Sequence, residues 1–434
     1  MPKGFTQPAR LKGGPLTVGS AAAACLIMVS APAAQSAPAP GTAHVAVSNP
    51  VYPTPGQPAT SEPSAEGEPT TVEKGDDDLR VATLHAGLTA SDPEDSDPLD
   101  ALIGELAGGN HSEARTVAET AQINQPDVLV LTGVSYDEDG RIAEILKNQY
   151  LASGQNGQAG QEYSHVFTAP TNSGIDSGVD LDGDGTVGGP GDAMGYGQYP
   201  GEEGIIIFSK EPLDTDGART FREFLWQDLP GSSLQDEDFT QAEESILRLA
   251  STTLWDVPVL VEDGEPVHLI ATATAAPEDP GPLEEIRSED MAQLISDYVS
   301  SEAWYLYDDE GAEGGLAPGA DAVVVGEPSL SEETGLDRLT DHPVLEDPEP
   351  EAVTETELLS RSGPVAQTDG TATRWVDGGE DQRASVVLPS SGLDVSGSGI
   401  FWPGEGEFGY ETVDPSDPRS LEDRLVWLDI TSEG

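Results

Sequence analysis

The sequence predicts an α/β fold, a four-layer sandwich in which two β-sheets pack face to face between outer helices. Three observations predict it. Short apolar or alternating runs recur along the chain, segments of helical period are interspersed among them, and no linker-like composition splits the strands into two sets. About 350 residues are left for the folded part, and the undivided pattern makes them one domain.

Leu79 to His85 alternates in polarity and opens the fold as a strand. From Ser112, the run EARTVAETAQINQ has helical spacing, with Ala114, Val117, Ala118 and Ala121 on one face and Ser112 as N-cap. Asp127 to Leu131 (DVLVL) reads as a buried strand and Asp137 to Tyr150 as a second helix. Gly204–Ser209, Ile246–Ser251, Val257–Val261 and Val267–Ala273 follow as strands, then Glu284–Ser300 as a helix. Ala322–Val325, Ala384–Leu388, Gly399–Trp402 and Arg424–Ile430 complete the strand set. The acidic, Pro-rich Glu346–Glu357 reads as a mobile insertion.

The N-terminus has the three parts of a secretory signal: Lys3, Arg10 and Lys12, a short apolar run over Leu16–Val29, and small residues from Ser30 to Ala37. Residues 1–37 are therefore expected to be removed on export. Residues 38–78, rich in Pro, Ala, Ser and Glu, read as a disordered spacer, and 79–434 as the folded domain. The single cysteine, Cys25, lies in the signal, so disulfides have no part in the mature chain, which should be a secreted monomer without a membrane span.

Charge narrows the function further. Asp and Glu number 80 against 19 Lys and Arg, a formal −61. Such a surface repels nucleic acid and anionic lipid. Much acid with little lysine suits a chain kept soluble in high salt or in calcium-rich surroundings. Walker loops, dinucleotide fingerprints, zinc spacings and the serine-hydrolase elbow are absent.

One stretch, Val166–Lys210, is too long and too poor in core formers for an ordinary connection. Within it Asp180-Leu-Asp182-Gly-Asp184-Gly185 matches the start of an EF-hand-like loop: alternate carboxylates face inward and glycine permits the turn. The twelfth position is Gly191 rather than Glu, with Asp192 next to it. Asp180, Asp182, Asp184 and Asp192 are thus candidate ligands for Ca²⁺; the competing reading is a solvated acidic turn.

Several segments, in order, also resemble the endonuclease/exonuclease/phosphatase family, in particular its secreted actinobacterial branch. They are Val81–Leu88, Gln125–Leu129, Val166–Asn172, the Asp180–Gly189 loop, Tyr199–Gly201, Phe224–Trp226, Leu247–Leu249 with Trp255–Val259, Asp341–Pro343, Phe401–Pro403 and Arg424–Trp427. The resemblance spans Leu79 to Ile430 and implies the four-layer sandwich and metal-assisted phosphodiester hydrolysis. There, strand-end carboxylates hold a divalent cation and an Asp/His pair manages the attacking water.

Most of those strand-end positions are replaced. His85 stands for an Asn, Gly133 for the metal-binding Glu, Ala273 for a His, and Ser385 for an Asp. Gly326-Glu327-Pro328-Ser329 replaces Gly-Asp-x-Asn, and Leu421-Glu422-Asp423 replaces the terminal Ser-Asp-His. Alanine and glycine neither bind a cation nor move a proton. The resemblance therefore implies a pseudoenzyme with no catalytic residues, a scaffold or binding protein. Two other readings stand beside it. One is a diverged hydrolase using Mg²⁺ or Mn²⁺ at a convergence of His85, Glu327, Glu422 and Asp423. The other is a calcium-binding, salt-adapted cell-surface protein.

Overall fold

The computed structural model describes residues 71–92, 97–236, 239–261, 264–274, 282–328, 335–352, 358–360, 363–365, 371–374 and 382–431. The expected signal peptide, most of the expected spacer and Ser329 lie outside them.

Strand formation follows the alternation of the sequence. β1 (Asp78–Leu88) pairs in parallel with β2 (Val128–Val134) and antiparallel with β13 (Val426–Thr431). With β3 (His165–Phe167), β4 (Ile205–Ser209) and β12 (Val395–Ile400) they form a six-stranded sheet ordered β12-β13-β1-β2-β4-β3. The second sheet has five strands: β5 (Arg219–Thr220), β6 (Thr253–Val259), β7 (Val267–Ala273), β8 (Ala322–Glu327) and β11 (Val386–Pro389). Their order is β11-β8-β7-β6-β5, with β7 and β8 parallel. A separate two-stranded ladder joins β9 (Leu358–Ser360) and β10 (Gly363–Val365).

Three layers of core show the four-layer architecture. Alternate residues of β1 and β2, including Ala82, Leu84, Leu129 and Leu131, pack with helices α1 (Pro98–Ala107) and α2 (Ser112–Asn124). Their neighbours Val81, Val128 and Val130 pack with Val257, Leu269, Val323 and Val387 of the second sheet. Leu254, Ile270 and Val324 on that sheet's outer face pack with Met291, Leu294 and Ile295 of α5 (Pro282–Val299). A period of two therefore sorts each strand between helix and opposing sheet.

Several element expectations need correction. Ile246–Ser251 is not a strand of either sheet; Leu247 and Leu249 are buried, and their backbone bonds run to Glu243, Trp226 and Phe224 rather than to a sheet strand. Ahead of them lies the single turn α4 (Gln241–Glu244), with a complete capping box at Thr240 and Glu243. α6 (Asp337–Thr340) is a similar short turn. Ser112 is the first helical residue of α2 and its hydroxyl bonds to Glu113, while His111 holds the cap position. The expected helix over Asp137–Tyr150 is α3 (Arg141–Ile145) followed by a π-helical stretch, Leu146–Leu151. α1 was not anticipated, although its Asp97 N-cap, its Pro98 and its buried Leu102, Ile103 and Leu106 are all ordinary helix signals.

Two boundaries also move. Thr71–Asp77, assigned to the spacer, lies on the domain: the Val72 amide donates to the Ile123 carbonyl and Lys74 pairs with Asp127. Glu346–Ala352, assigned to the mobile insertion, runs between the sheets' edges. The Glu346 amide bonds Pro389, the Ile400 amide bonds Glu351, and Arg383 holds Asp347 bidentately at 2.6 and 2.7 Å. Residues 353–357 lie outside the described residues.

Arg80 ties several of these elements together. Fully buried, it donates twice to Asp429 of β13 at 2.6 Å and also to the carbonyls of Val72, Glu73 and Asn124. Its guanidinium lies 4.2 Å over the ring of Trp427. Among the described residues, no helix is long and apolar enough to cross a membrane.

Candidate functional site

The alternation that builds the inter-sheet core also selects what stands at its end. His85 has the parity of Val81, Thr132 that of Val128 and Val130, Glu327 that of Val323 and Val325, and Ala273 that of Leu269 and Ala271. All four lie at the C-terminal ends of parallel strands, so one end of the inter-sheet seam becomes a polar mouth. Ala273 is in register with Glu327 on one side and with Thr253 on the other. Ser385 directly precedes Val386, the partner of Gly326.

An ionic cluster fills the mouth. The His85 Nδ1 lies 2.9 Å from Glu327 Oε2, and the Thr132 hydroxyl donates to that same oxygen at 2.8 Å. The other Glu327 oxygen accepts from the Arg374 guanidinium, whose Nε also donates to Asp423 Oδ1 at 2.8 Å. Glu327 and Asp423 are each 5% exposed. Arg374 is fixed from behind: its amide donates to Gln382, Thr373 Oγ1 accepts from the amides of Ala384 and Ser385, and the Arg424 amide donates to the Thr373 carbonyl.

The imidazole of His85 also explains Gly133. Gly133 has φ +62°, and a Cβ built there would lie 2.4–2.8 Å from three atoms of the His85 ring. The space that a side chain at 133 would use is the space the imidazole takes. The β1–β2 register shifts immediately beyond, between His85 and Leu88.

Charge follows from this geometry. Burial works against the His85 imidazolium, but Glu327, Asp423 and Glu203 outweigh it and push its pKa up to about 10. Burial would raise Glu327, yet His85 and Arg374 hold it down to about 2. Asp423 is raised, chiefly by burial. Glu203, beside the N-terminal end of β4, is pushed up to about 7 by burial and by the nearby Glu327, with His85 opposing. Glu203 is thus the member of the cluster whose charge changes near neutrality.

Of the positions named from sequence, His85, Glu327 and Asp423 meet at the mouth, with Gly133 beneath the His85 ring. Glu422 is exposed and does not join them, because Asp423 takes the buried position. Arg374, Glu203 and Thr132 are the members that sequence reasoning missed. Arg374 lies in a stretch without period or motif. Glu203 carried one faint signal, an acid pair just before an apolar strand.

The Asp-rich loop is a second, separate acidic site. Asp180, Asp182 and Asp192 each bring one carboxylate oxygen within 4.8 Å of the others, an arrangement able to hold a metal ion. Asp192 is 2% exposed and accepts from the amides of Leu181, Asp182 and Gly188. Those amides outweigh burial and keep its pKa below the usual carboxylate value. Asp180 Oδ2 accepts from the Gly185 amide, while its buried Oδ1 has no partner. Asp184 is outside the group, because its carboxylate turns to the Thr186 amide at 2.6 Å. Gly191 is there for room: a Cβ would lie 2.5 Å from Asp182 Oδ2. The closing acid is accordingly Asp192.

Elsewhere, an apolar groove of about 590 Å³ runs between Val72, Ile123, Phe401, Trp402, Phe408 and Trp427.

No protein-family model and no curated protein matches the chain. Among solved structures it is similar to an endonuclease/exonuclease/phosphatase from Beutenbergia cavernae DSM 12333, with 16% identity, a TM-score of 0.45, and coverage of 82% of this chain and 72% of that one. It is similar also to an endonuclease/exonuclease/phosphatase family protein from Leptotrichia buccalis C-1013-b (10% identity, TM-score 0.44, 81% and 99% covered). A third likeness is to the human Nocturnin catalytic domain with bound sulfate (13% identity, TM-score 0.40, 81% and 93% covered).

Proposed function

We propose that this chain is a secreted, highly acidic protein that keeps a phosphoesterase-type sandwich without phosphodiesterase catalysis, and that it acts as a scaffold or binding protein. One observation carries the reading: both oxygens of Glu327 and one oxygen of Asp423 are already bonded to groups of the chain itself. A carboxylate that accepts from an imidazole, a hydroxyl and a guanidinium has little lone-pair capacity left for a metal. At Gly133, where the resemblance calls for a metal-binding Glu, the backbone carries no side chain and His85 occupies the space.

The mouth therefore does not fit the divalent cation that the resemblance implies. Glu203, whose pKa is pushed up to about 7, comes nearest in proton affinity to a general base at neutral pH. Secretion rests on the signal-like N-terminus alone. The test is hydrolysis of a chromogenic phosphodiester, and of DNA, across Mg²⁺, Mn²⁺ and Ca²⁺. No turnover above buffer is expected; metal-dependent turnover that Glu327→Ala abolishes would restore the diverged-hydrolase reading.

A second property is favoured by its own observation. Asp180 belongs to a group with Asp182 and Asp192, and its buried Oδ1 has no hydrogen-bond partner, which supports Ca²⁺ binding at the loop. Oxygen-only ligands from a glycine-rich loop suit a hard cation. Held there, the ion would order the rim of the fold and perform no chemistry.

A further inference from the structure

We propose that the apolar groove beside β12 and β13 is a binding site for an amphipathic organic cation, a small molecule with an aromatic or aliphatic body and an ammonium head. The proposal goes beyond the loss of catalysis and does not depend on it. Ile123 of α2, Trp427 of β13, Val72 ahead of β1, and Phe401, Trp402 and Phe408 after β12 line the groove. A volume of about 590 Å³ and a lining dominated by aromatic side chains are the dimensions and the chemistry of a small-molecule site.

The chain itself fixes the walls. The fully buried Arg80 guanidinium covers the Trp427 ring at 4.2 Å, and buried Arg424 lies 4.6 Å from the Trp402 ring. Trp427 also lies against Gly399 of β12, where a Cβ would come within 2.7 Å of the indole. The segment that carries Phe408 is held as firmly. Gly409 has φ +83° and sits so close that a Cβ would lie 2.7 Å from Phe401 and 3.1 Å from Ile123, while the Gly404 amide donates to Glu407 at 2.5 Å. Phe408 nevertheless stays 42% exposed, an aromatic ring held at the groove without being buried by the fold.

Charge decides the class of occupant. Glu73 and Glu407, both exposed, are the charged residues of the lining, and no basic side chain is among them. Around them stands a chain of formal charge −61. An anionic head meets repulsion there, a neutral molecule gains from burial alone, and an ammonium head gains from both burial and attraction. Arg80 and Arg424 already lie over the two indoles, so the head belongs beside the carboxylates and the apolar body against the rings.

The experiment titrates the full chain calorimetrically with naphthylethylamine, naphthylethanol and naphthylpropionate, which share one body and differ in the head. At low salt the amine is expected to saturate one site about fivefold more tightly than the alcohol, with the propionate weakest. Phe408→Ala should weaken the amine and the alcohol alike, by about tenfold. Glu73→Gln/Glu407→Gln should leave the alcohol unchanged and remove the advantage of the amine; both positions are exposed, so this variant decides alone should Phe408→Ala fail to fold. Amine binding that survives both variants and fades in salt is accumulation around an acidic chain and overturns the proposal. Equal affinity for amine and alcohol overturns it as well, leaving a groove without charge selection. So does an absence of binding by all three, and self-association in sedimentation that Phe408→Ala abolishes would then assign the groove to a second copy of the chain.

Discussion

The strand-end mouth and the Asp-rich loop are both clusters of acid, yet they solve the same electrostatic problem differently. At the mouth, Glu327 and Asp423 are neutralised by side chains, His85 and Arg374, within a sheltered seam. In the loop, Asp180, Asp182, Asp184 and Asp192 are capped by backbone amides, and one buried oxygen is left over. Side-chain cations fix both charge and position, so the first cluster is closed. Amides supply partial charge only and leave room for an ion, so the second is open. In a chain with 80 acidic residues, an acid cluster is a poor guide to a metal site until its partners are known.

The comparison breaks most sharply at Arg374. Arg374→Ala should destabilise the fold by about 3–5 kcal/mol, because it strands two buried carboxylates, whereas Asp182→Asn in the loop should change stability by well under 1 kcal/mol in EDTA. Urea unfolding of the two variants checks this; equal losses would mean that the clusters do not differ in kind.

Gly133→Ala is next, at about 3 kcal/mol, since it adds a left-handed backbone penalty to a collision with the His85 ring. The double variant His85→Ala/Gly133→Ala should recover the collision part and not the backbone part. Strict additivity of the two single losses would show that the imidazole does not occupy the space above Gly133.

The pH dependence sharpens the contrast. His85, raised to about 10, contributes stability that is complete below its unfolded value of 6.5 and is lost as pH rises through about 10. Glu327, lowered to about 2, contributes stability present above 4.5 and lost as pH falls through about 2. Glu203, raised to about 7, adds a charging penalty that grows from pH 4.5 to about 7. Stability should therefore be greatest near pH 5, and Glu203→Gln should remove the decline towards neutrality, a gain of about 1–2 kcal/mol at pH 8. Parallel pH–stability curves for the parent and Glu203→Gln would place Glu203 outside the cluster.

The smallest effect is expected at the loop. Ca²⁺ should raise the melting temperature of the parent by a few degrees and leave Asp182→Asn unmoved, while Asp184→Asn keeps most of the response. Equal loss in both variants would return Asp184 to the ligand set; a parent that shows no response removes the calcium reading.

Much of the sandwich was legible because it rests on period alone. Val267–Ala273 is a strand at both ends as expected, and the alternation of β1, β2 and β8 carries their residues into the correct layers. Ile246–Ser251 misled because Leu247 and Leu249 alternate as a strand would, while their burial comes from packing beneath Phe224 and Trp226 without a ladder. At the mouth, His85, Glu327 and Asp423 could be named because the family that the sequence resembles carries its site residues at those positions. Arg374 could not, because it arrives from an aperiodic segment and its role exists only in three dimensions. Glu422 and Asp423 show the limit of resolution: two adjacent acids, of which burial takes one.

Arg80 and the ladder beneath it bear on how this chain comes to be folded at all. The strand that opens the first sheet bonds on one side to β13, and Arg80 meets Asp429 across 349 residues of sequence. During synthesis, β1 emerges long before that neighbour exists, and its flank stays unsatisfied until residue 431 has been made. All the residues between β1 and β13 must be present before the ladder can close, and pairings so distant in sequence form slowly. A nascent chain of this design passes through a long interval in which its first sheet is incomplete.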